Sequence, residues 1–231
     1  AQEGEYMEAD YLPVSKKNIK EMYEELLGCI GTVKNPYLQK LLSIYFVDSP
    51  AFAKAFQFHS AGKSVHHGFV GGLLEHTLSV AKMCDYYSSC YPQLNRDLLL
   101  TAAIFHDIGK TKELSRFPEN DYTDDGQLLG HIIIGTEMVG KGIRAIPGFP
   151  EVLAVELKHC ILAHHGELEY GSPKKPALLE ALALNFADNT DAKMETMIEA
   201  LNAGNPGSDN KGWLGYNRLL ETNIRKTSES V

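Results

Sequence analysis

Apolar residues recur three and four positions apart along most of the chain, which is the spacing of one face of an α-helix. Ser15 is placed to cap the first helix, and prolines and glycines separate the later ones. The first predicted helix runs from the Ser15 cap through Ile19, Met22, Leu26 and Leu27 and ends near residues 28–31. The later predicted helices cover residues 38–47, 51–58, 70–90, 95–108, 129–145, 150–164, 176–203 and 213–226. No segment alternates as a β-strand does. The sequence therefore predicts an all-α fold, a single bundle of about eight to ten helices.

The predicted helices differ in character along the chain. Residues 95–108 are the most apolar, so we expect this helix in the centre of the fold. Residues 115–128 are polar and rich in turn formers, which is typical of a loop or small hairpin. Residues 1–60 are expected to form a helical arm attached to a domain that covers residues 61–231.

Charge and apolar content narrow the function. The chain has 231 residues and a net charge of −8, which argues against broad binding of duplex nucleic acid through a basic surface. A phosphate substrate stays open, because bound divalent metals reverse the local potential. No apolar run approaches the roughly 20 residues that span a bilayer, so no membrane association is expected.

The cysteines and the N-terminus indicate a compartment. None of the four cysteines forms a Cys-x-x-Cys pair, and isolated thiols are typical of a reducing environment. The first ten residues are polar and acidic, unlike a secretory signal. We therefore expect a cytoplasmic protein. The chain begins with Ala1, which indicates a processed product or a piece of a longer protein.

Ionisable residues lie where apolar packing is expected. His106 and Asp107 end the most apolar helix, His76 lies inside another, and Asp188 lies inside a third. Leaving such groups unpaired in the interior would cost several kcal/mol, roughly. A shared metal ion satisfies all of them. Imidazole and carboxylate ligands without thiolates favour Mn²⁺, Fe²⁺, Co²⁺, Ni²⁺, Zn²⁺ or Mg²⁺, with Mn²⁺ preferred here.

Three further histidines offer a second site. His131 lies near a predicted helix start, and His164 and His165 lie at a helix end. Asp107 would bridge the two ions. The sequence leaves open whether one ion or two bind.

These residues resemble the signature of the HD superfamily of metal-dependent phosphohydrolases. The order His76, then His106 and Asp107, then Asp188 matches its ligand pattern, and residues 106–110 have its H-D-I-G-K form. His131 and the pair at 164–165 are similar to the subset that holds two metals. The resemblance covers about residues 65–195 and implies a helical HD-domain bundle that hydrolyses phosphoesters.

Four longer strings resemble the YhaM-type 3′–5′ exoribonucleases. They are HHGFVGGLLEHT at 66–77, YTDDG at 122–126, HHGELEYGSP at 164–173 and DNTDAKM at 188–194. In that family an OB-fold precedes the HD domain. This chain begins about where that fold would end and has no strands for one, so the OB-fold is expected to have been removed or to be naturally absent.

Two residues near the expected ligands are assigned catalytic roles beside Asp107. Lys110 follows His106 by four positions and is expected to bind a phosphate oxygen or neutralise the leaving group. The alternative is a solvated lysine favoured by the helix dipole. Asp191 lies one turn after Asp188 and would orient a ligand histidine or act as a general base. A simple surface aspartate is the alternative.

Other residues are assigned to the substrate. By resemblance, His67 is expected to contact the substrate, since Gly71 and Gly72 would let the substrate approach the backbone. Tyr170 is expected to stack on a base, and Lys174 to meet a phosphate. The alternatives are an exposed loop histidine and an ordinary polar loop.

The leading function is 3′–5′ exonucleolytic cleavage of RNA or single-stranded DNA by metal-activated water. One alternative is a phosphatase or phosphodiesterase for small nucleotides, which the acidic charge favours. Another is a non-enzymatic, metal-stabilised regulatory or nucleic-acid-binding module. The expected partner is a nucleotide or single-stranded nucleic acid, and the oligomeric state stays open, with a homo-oligomer among the options.

Overall fold

The computed structural model describes residues 12–63, 67–204 and 212–228. Over these residues the chain is a helical bundle, which confirms the predicted all-α class, and it also contains one small two-stranded sheet. The elements are α1 (Ile19–Gly31), α2 (Pro36–Phe46), α3 (Pro50–Gln57), α4 (Gly72–Cys90), α5 (Arg96–Phe105), α6 (Lys110–Glu113), α7 (Asp124–Arg144), α8 (Glu151–Leu162), a 3₁₀ turn (Leu168–Tyr170), α9 (Leu179–Ala203), β1 (Trp213–Asn217) and β2 (Thr222–Arg225).

Side-chain caps set where the helices begin. Asn18 caps α1, accepting from the backbone of Lys20 and Glu21, so the prediction that Ser15 is the cap is wrong. Ser15 instead donates to Glu75 Oε2 at 2.6 Å and joins the N-terminal segment to α4. Thr123 caps α7, which therefore begins within the segment predicted as a loop.

The predicted helix at 213–226 is wrong, because these residues form an antiparallel hairpin. Gly215 has a φ of +97°, which the chain reaches at little cost only with glycine. Asn217 then accepts from the backbone of Leu219 at 2.9 Å and Leu220 at 3.0 Å, which builds a turn instead of a helix.

One apolar core includes residues from the first three helices and from the later helices. Every residue of α5 from Leu98 to Phe105 is buried, which confirms the prediction that this helix is central. Leu26, Leu38 and Phe56, from α1, α2 and α3, belong to the same cluster of buried residues. Each such side chain contributes roughly 1.5–3 kcal/mol when fully buried. Within the described residues, no helix combines the length and the apolarity needed to span a membrane.

Candidate metal centre

The seven predicted metal ligands meet at the ends and inner faces of five helices. Aromatic packing holds His106 and Asp107 in place, because Phe105, which directly precedes them, contacts the rings of Tyr45 and Phe46 at centroid distances of 5.5 and 5.8 Å. The ligands are His76 on α4, His106 and Asp107 after α5, His131 on α7, His164 and His165 after α8, and Asp188 on α9.

A glycine of the H-D-I-G-K string permits the approach of α7. A Cβ atom on Gly109 would lie 2.0 Å from the carbonyl oxygen of His131, so a larger residue would push the two backbones apart. Gly130, with a φ of +72°, interrupts α7 one residue earlier and turns His131 towards the centre. The result is a distance of 3.5 Å between His131 Nε2 and Asp107 Oδ1.

Four of the ligands form a first cluster. His76 Nε2 lies 3.1 Å from His106 Nε2, 3.1 Å from Asp188 Oδ1 and 3.5 Å from Asp107 Oδ2. Ligand atoms bound at about 2.0–2.2 Å from one ion are roughly 3.0–3.5 Å apart. The first cluster therefore has the spacing of a coordination sphere.

The other three histidines form a second cluster on the opposite oxygen of Asp107. His131, His164 and His165 each offer a ring nitrogen, and these atoms lie within 4.8 Å of one another. His131 Nε2 and His164 Nε2 lie 3.5 and 3.8 Å from Asp107 Oδ1. Asp107 thus directs one oxygen to each cluster, as the predicted bridging role requires.

The five histidines of the two clusters all use Nδ1 for a hydrogen bond and direct Nε2 to the centre. Each Nδ1 lies within 3.0 Å of an oxygen acceptor, and a carbonyl or carboxylate oxygen there requires Nδ1 to carry the proton. The acceptors are Asp191 for His76, the Ala103 carbonyl for His106, Glu113 for His131, the Ile161 carbonyl for His164 and the Tyr170 carbonyl for His165. In the neutral ring every Nε2 therefore presents a lone pair, which is the arrangement of metal-binding histidines.

Among the described residues, six buried side-chain atoms have no hydrogen-bond partner, and three of them lie at the centre: Asp107 Oδ1, His131 Nε2 and His164 Nε2. All three belong to the second cluster. Each unpaired buried acceptor costs about 1–3 kcal/mol. A divalent cation satisfies all of them at once, so the residues present fit the metal that their chemistry implies.

The charges of the centre favour a cation. Burial alone would raise the pKa of Asp107, but the nearby Lys110 ammonium and His106 hold it well below its usual range. Lys110 Nζ lies 2.6 Å from Asp107 Oδ2, so it reaches the centre as predicted but is already paired. Burial lowers the pKa of His164 well below its usual value, and His165 adds to this effect. The His164 ring is therefore neutral, the form in which a histidine can bind a metal.

Asp191 holds His76 from behind. Its Oδ2 lies 2.7 Å from His76 Nδ1 and 3.0 Å from His67 Nε2, while Ser79 donates to its other oxygen. Burial alone would lower the pKa of His76, but hydrogen bonds with Asp188 and Asp191 raise it to about 9. Asp191 thus contacts the His76 ring at the nitrogen that faces away from the cluster.

The structure separates the four predicted substrate contacts. Lys110 and Tyr170 line a cavity of about 740 Å³ that includes His76, Asp107 and Asp188. Neither His67 nor Lys174 lies among the residues that line it. His67 is 2% exposed and is bound to Asp191.

Gly72, the first residue of α4, allows close packing of the chain on itself. A Cβ atom on Gly72 would lie 2.0 Å from the carbonyl oxygen of His67, so the space there is filled by the chain's own backbone. His66, which belongs to the same string, lies outside the described residues.

Sequence reasoning missed two contributors to the centre. Glu113, in the short helix KTKE, has the sequence context of a solvated residue but is 8% exposed and accepts from both the backbone and the ring of His131. Lys193 also lines the cavity, and no ion pair joins it to a carboxylate in the part of the chain that the structure describes. Its position five residues after Asp188 was the available signal.

The chain is similar to one protein family and to several curated proteins. Residues 73–193 match the model of the HD domain family. The chain is 39% identical to the 3′-5′ exoribonuclease YhaM of Bacillus velezensis and 38% identical to that of Bacillus subtilis, in each case over 86% of this chain and 62% of the relative. It is 36% identical to the same protein of a Geobacillus species, over 90% of this chain and 63% of the relative.

The chain thus spans less than two thirds of the length of these curated relatives. No solved structure matches it significantly. The family match covers more than half of the chain and includes all seven residues of the two clusters. This chain belongs to the HD domain family.

Proposed function

We propose that the chain is a metal-dependent phosphohydrolase that removes nucleotides from the 3′ end of RNA or single-stranded DNA. The observation that carries the proposal is Asp107, whose two carboxylate oxygens face two separate histidine clusters. The direction of cleavage and the polymeric substrate are taken from the relatives, which are named 3′-5′ exoribonucleases.

His76, His106, Asp107 and Asp188 would hold one divalent ion. His131, His164 and His165 would hold a second, with Asp107 shared. Bound divalent ions acidify water and offset negative charge on a phosphodiester. The histidine and carboxylate set favours Mn²⁺ or a similar ion, and the absence of thiolate ligands argues against a purely structural zinc site.

The side chains of the cavity supply the remaining functions. Lys110 is held against Asp107 and would meet a phosphate oxygen next to the ligands. Lys193 offers a second cation, at the wall of the cavity. Tyr170 is 73% exposed and is available to stack on a base, an interaction that is worth about 1–3 kcal/mol.

The free state of the cysteines supports a reducing location such as the cytoplasm. All four are unpaired, and two of them, Cys84 and Cys160, are buried. Thiols that are not joined in disulfides are typical of proteins in such compartments.

Oligonucleotide cleavage tests the proposal. We expect a 5′-labelled RNA or DNA strand, incubated with Mn²⁺, to give a ladder of progressively shorter labelled products, and a chelator to stop the reaction. Asp107→Ala should abolish both turnover and metal loading, whereas Asp48→Ala, at an exposed ion pair with Lys40, should change neither.

Two results would contradict the proposed function. Release of phosphate from mononucleotides, with every oligonucleotide left intact, would indicate a small-nucleotide phosphatase. Binding of oligonucleotides without turnover in any divalent metal would indicate a non-enzymatic module. Elemental analysis of the purified protein would give the metal and the number of ions per chain.

A further inference from the structure

The C-terminal hairpin is held against α9 by its apolar side chains. Ile224 on β2 is 3% exposed, although most of its neighbours along the strand are open to solvent. Leu214 on β1 packs closely on the end of α9, since a Cβ atom on Gly204 would lie 2.8 Å from its methyl groups. The hairpin therefore has a defined position relative to the helix that carries Asp188.

The turn of the hairpin is fixed by its own hydrogen bonds. Asn217 Oδ1 accepts from two backbone amides of the turn, those of Leu219 and Leu220, at 2.9 and 3.0 Å. Glu221 closes the turn with a φ of +50°, a conformation that residues other than glycine rarely adopt. A non-glycine residue held in this region indicates that the surrounding structure determines the turn.

This turn forms part of the wall of the metal-centre cavity. Leu219, Leu220 and Glu221 line the same space as His76 and Asp188. Most other side chains around the cavity are charged or amide-bearing. Among the described residues that line it, the large apolar side chains are Leu219, Leu220 and Tyr170.

The apolar surface of the turn is open to solvent at the edge of the cavity. Leu219 is 63% exposed, and it lies beside a cavity whose other lining residues are mostly charged or amide-bearing. A nucleotide has the matching division: its phosphate suits the metal ligands and lysines, whereas the faces of its base are apolar. A volume of about 740 Å³ lies within the range of pockets that hold molecules of nucleotide size.

We propose that Leu219 and Leu220 form an apolar wall that packs against the terminal base of the strand whose phosphodiester lies at the metal centre. This inference rests on the proposed function and adds the residues that hold the end of the strand. Contacts through aliphatic carbon carry no hydrogen-bond pattern, so the wall would accept all four bases.

The test compares substrates with and without the base. For the double variant Leu219→Ser/Leu220→Ser, we expect kcat/KM to fall about tenfold on an oligonucleotide with an ordinary 3′-terminal nucleotide, through KM. The fall should be much smaller on the same strand with an abasic 3′ terminus. Leu219→Met/Leu220→Met keeps the apolar surface and should retain the wild-type ratio between the two substrates.

Val152→Ser is the matched control, because Val152 is 70% exposed on α8 and does not line the cavity. It should leave both substrates unaffected. Equal losses on both substrates in the serine variant, or no loss on either, would overturn the proposal. A loss confined to one terminal base would overturn the claim that the wall accepts all four.

Product binding separates this inference from the proposed exonuclease activity. The serine variant should bind nucleoside 5′-monophosphates about tenfold more weakly than wild type and bind ribose 5-phosphate equally well. If wild type cleaves no oligonucleotide but this difference in binding appears, the exonuclease proposal fails and the wall stands. If cleavage occurs and the difference is absent, the wall fails alone.

Discussion

Replacing Glu113 with alanine removes the hydrogen-bond acceptor that holds both the backbone amide and the Nδ1 atom of His131. Glu113 Oε1 accepts from His131 Nδ1 at 3.0 Å and from the His131 backbone amide at 2.9 Å. Burial alone would raise the pKa of Glu113, but its hydrogen bond with His131 lowers it, so the carboxylate is ionised at neutral pH. The variant therefore loses a charged acceptor that fixes both the ring and the backbone of a proposed ligand.

The expected loss in metal affinity follows from that geometry. Removing a hydrogen-bond partner of a ligand histidine costs about 10–100-fold in metal affinity, or about 1.4–2.8 kcal/mol. The loss should fall on the ion held by His131, His164 and His165, while the ion held by His76, His106 and Asp188 keeps most of its affinity. Calorimetric titration of the chelated protein with Mn²⁺ would resolve the two steps.

Glu113→Gln is the control, because its side-chain carbonyl still accepts from His131. We expect its second-step affinity to lie nearer to wild type than that of the alanine variant. Thermal unfolding without metal would show whether both variants remain folded. The reasoning is refuted if Glu113→Ala binds both ions as tightly as wild type, or if glutamine and alanine weaken the second step equally.

Two further predictions concern a cation in the cavity and a buried histidine. Lys193→Gln should raise KM for oligonucleotides about five- to tenfold at low salt, less at high salt, whereas Lys20→Gln on α1 should not; a salt-independent effect in steady-state assays would contradict a charge-based role. His59 Nε2 donates to the Lys110 carbonyl at 2.7 Å, and burial lowers the pKa of His59. As the pH drops below about 6.5, the unfolded chain therefore takes up a proton before the folded chain does, and the free energy of unfolding falls. His59→Gln keeps a donor and should make this fall shallower between pH 7 and 5 in denaturant titrations; equal slopes would show that His59 does not titrate this way.

The clustering of the proposed ligand residues could be predicted because the side chains differ in polarity from the helices that carry them. His76, His106 and Asp188 interrupt apolar helices, and only a shared partner reconciles such groups with burial. The central position of α5 was equally readable, since an unbroken apolar run allows no solvent-facing side.

The remaining features depend on contacts that no local pattern encodes. Glu113 is buried because α6 packs closely on α7, where a Cβ atom on Gly126 would lie 2.2 Å from the Glu113 carbonyl oxygen. In the hairpin, Asn217 accepts from the backbone amides of Leu219 and Leu220, and these bonds build a turn that the apolar pattern of residues 213–226 does not encode. Ser15 was mistaken for a cap because its partner, Glu75, is 60 residues away.

Two of the proposed ligands also finish the helices that carry them. His106 donates to the carbonyl of Ala103, and His164 donates to that of Ile161, each three residues earlier at the end of α5 or α8. Carbonyls in the last turn of a helix otherwise lack an intrahelical donor. An alanine at either position thus removes the hydrogen bond that completes the end of a helix, and it removes a proposed ligand at the same time. Loss of activity and loss of stability should therefore occur together, so both must be measured in each variant.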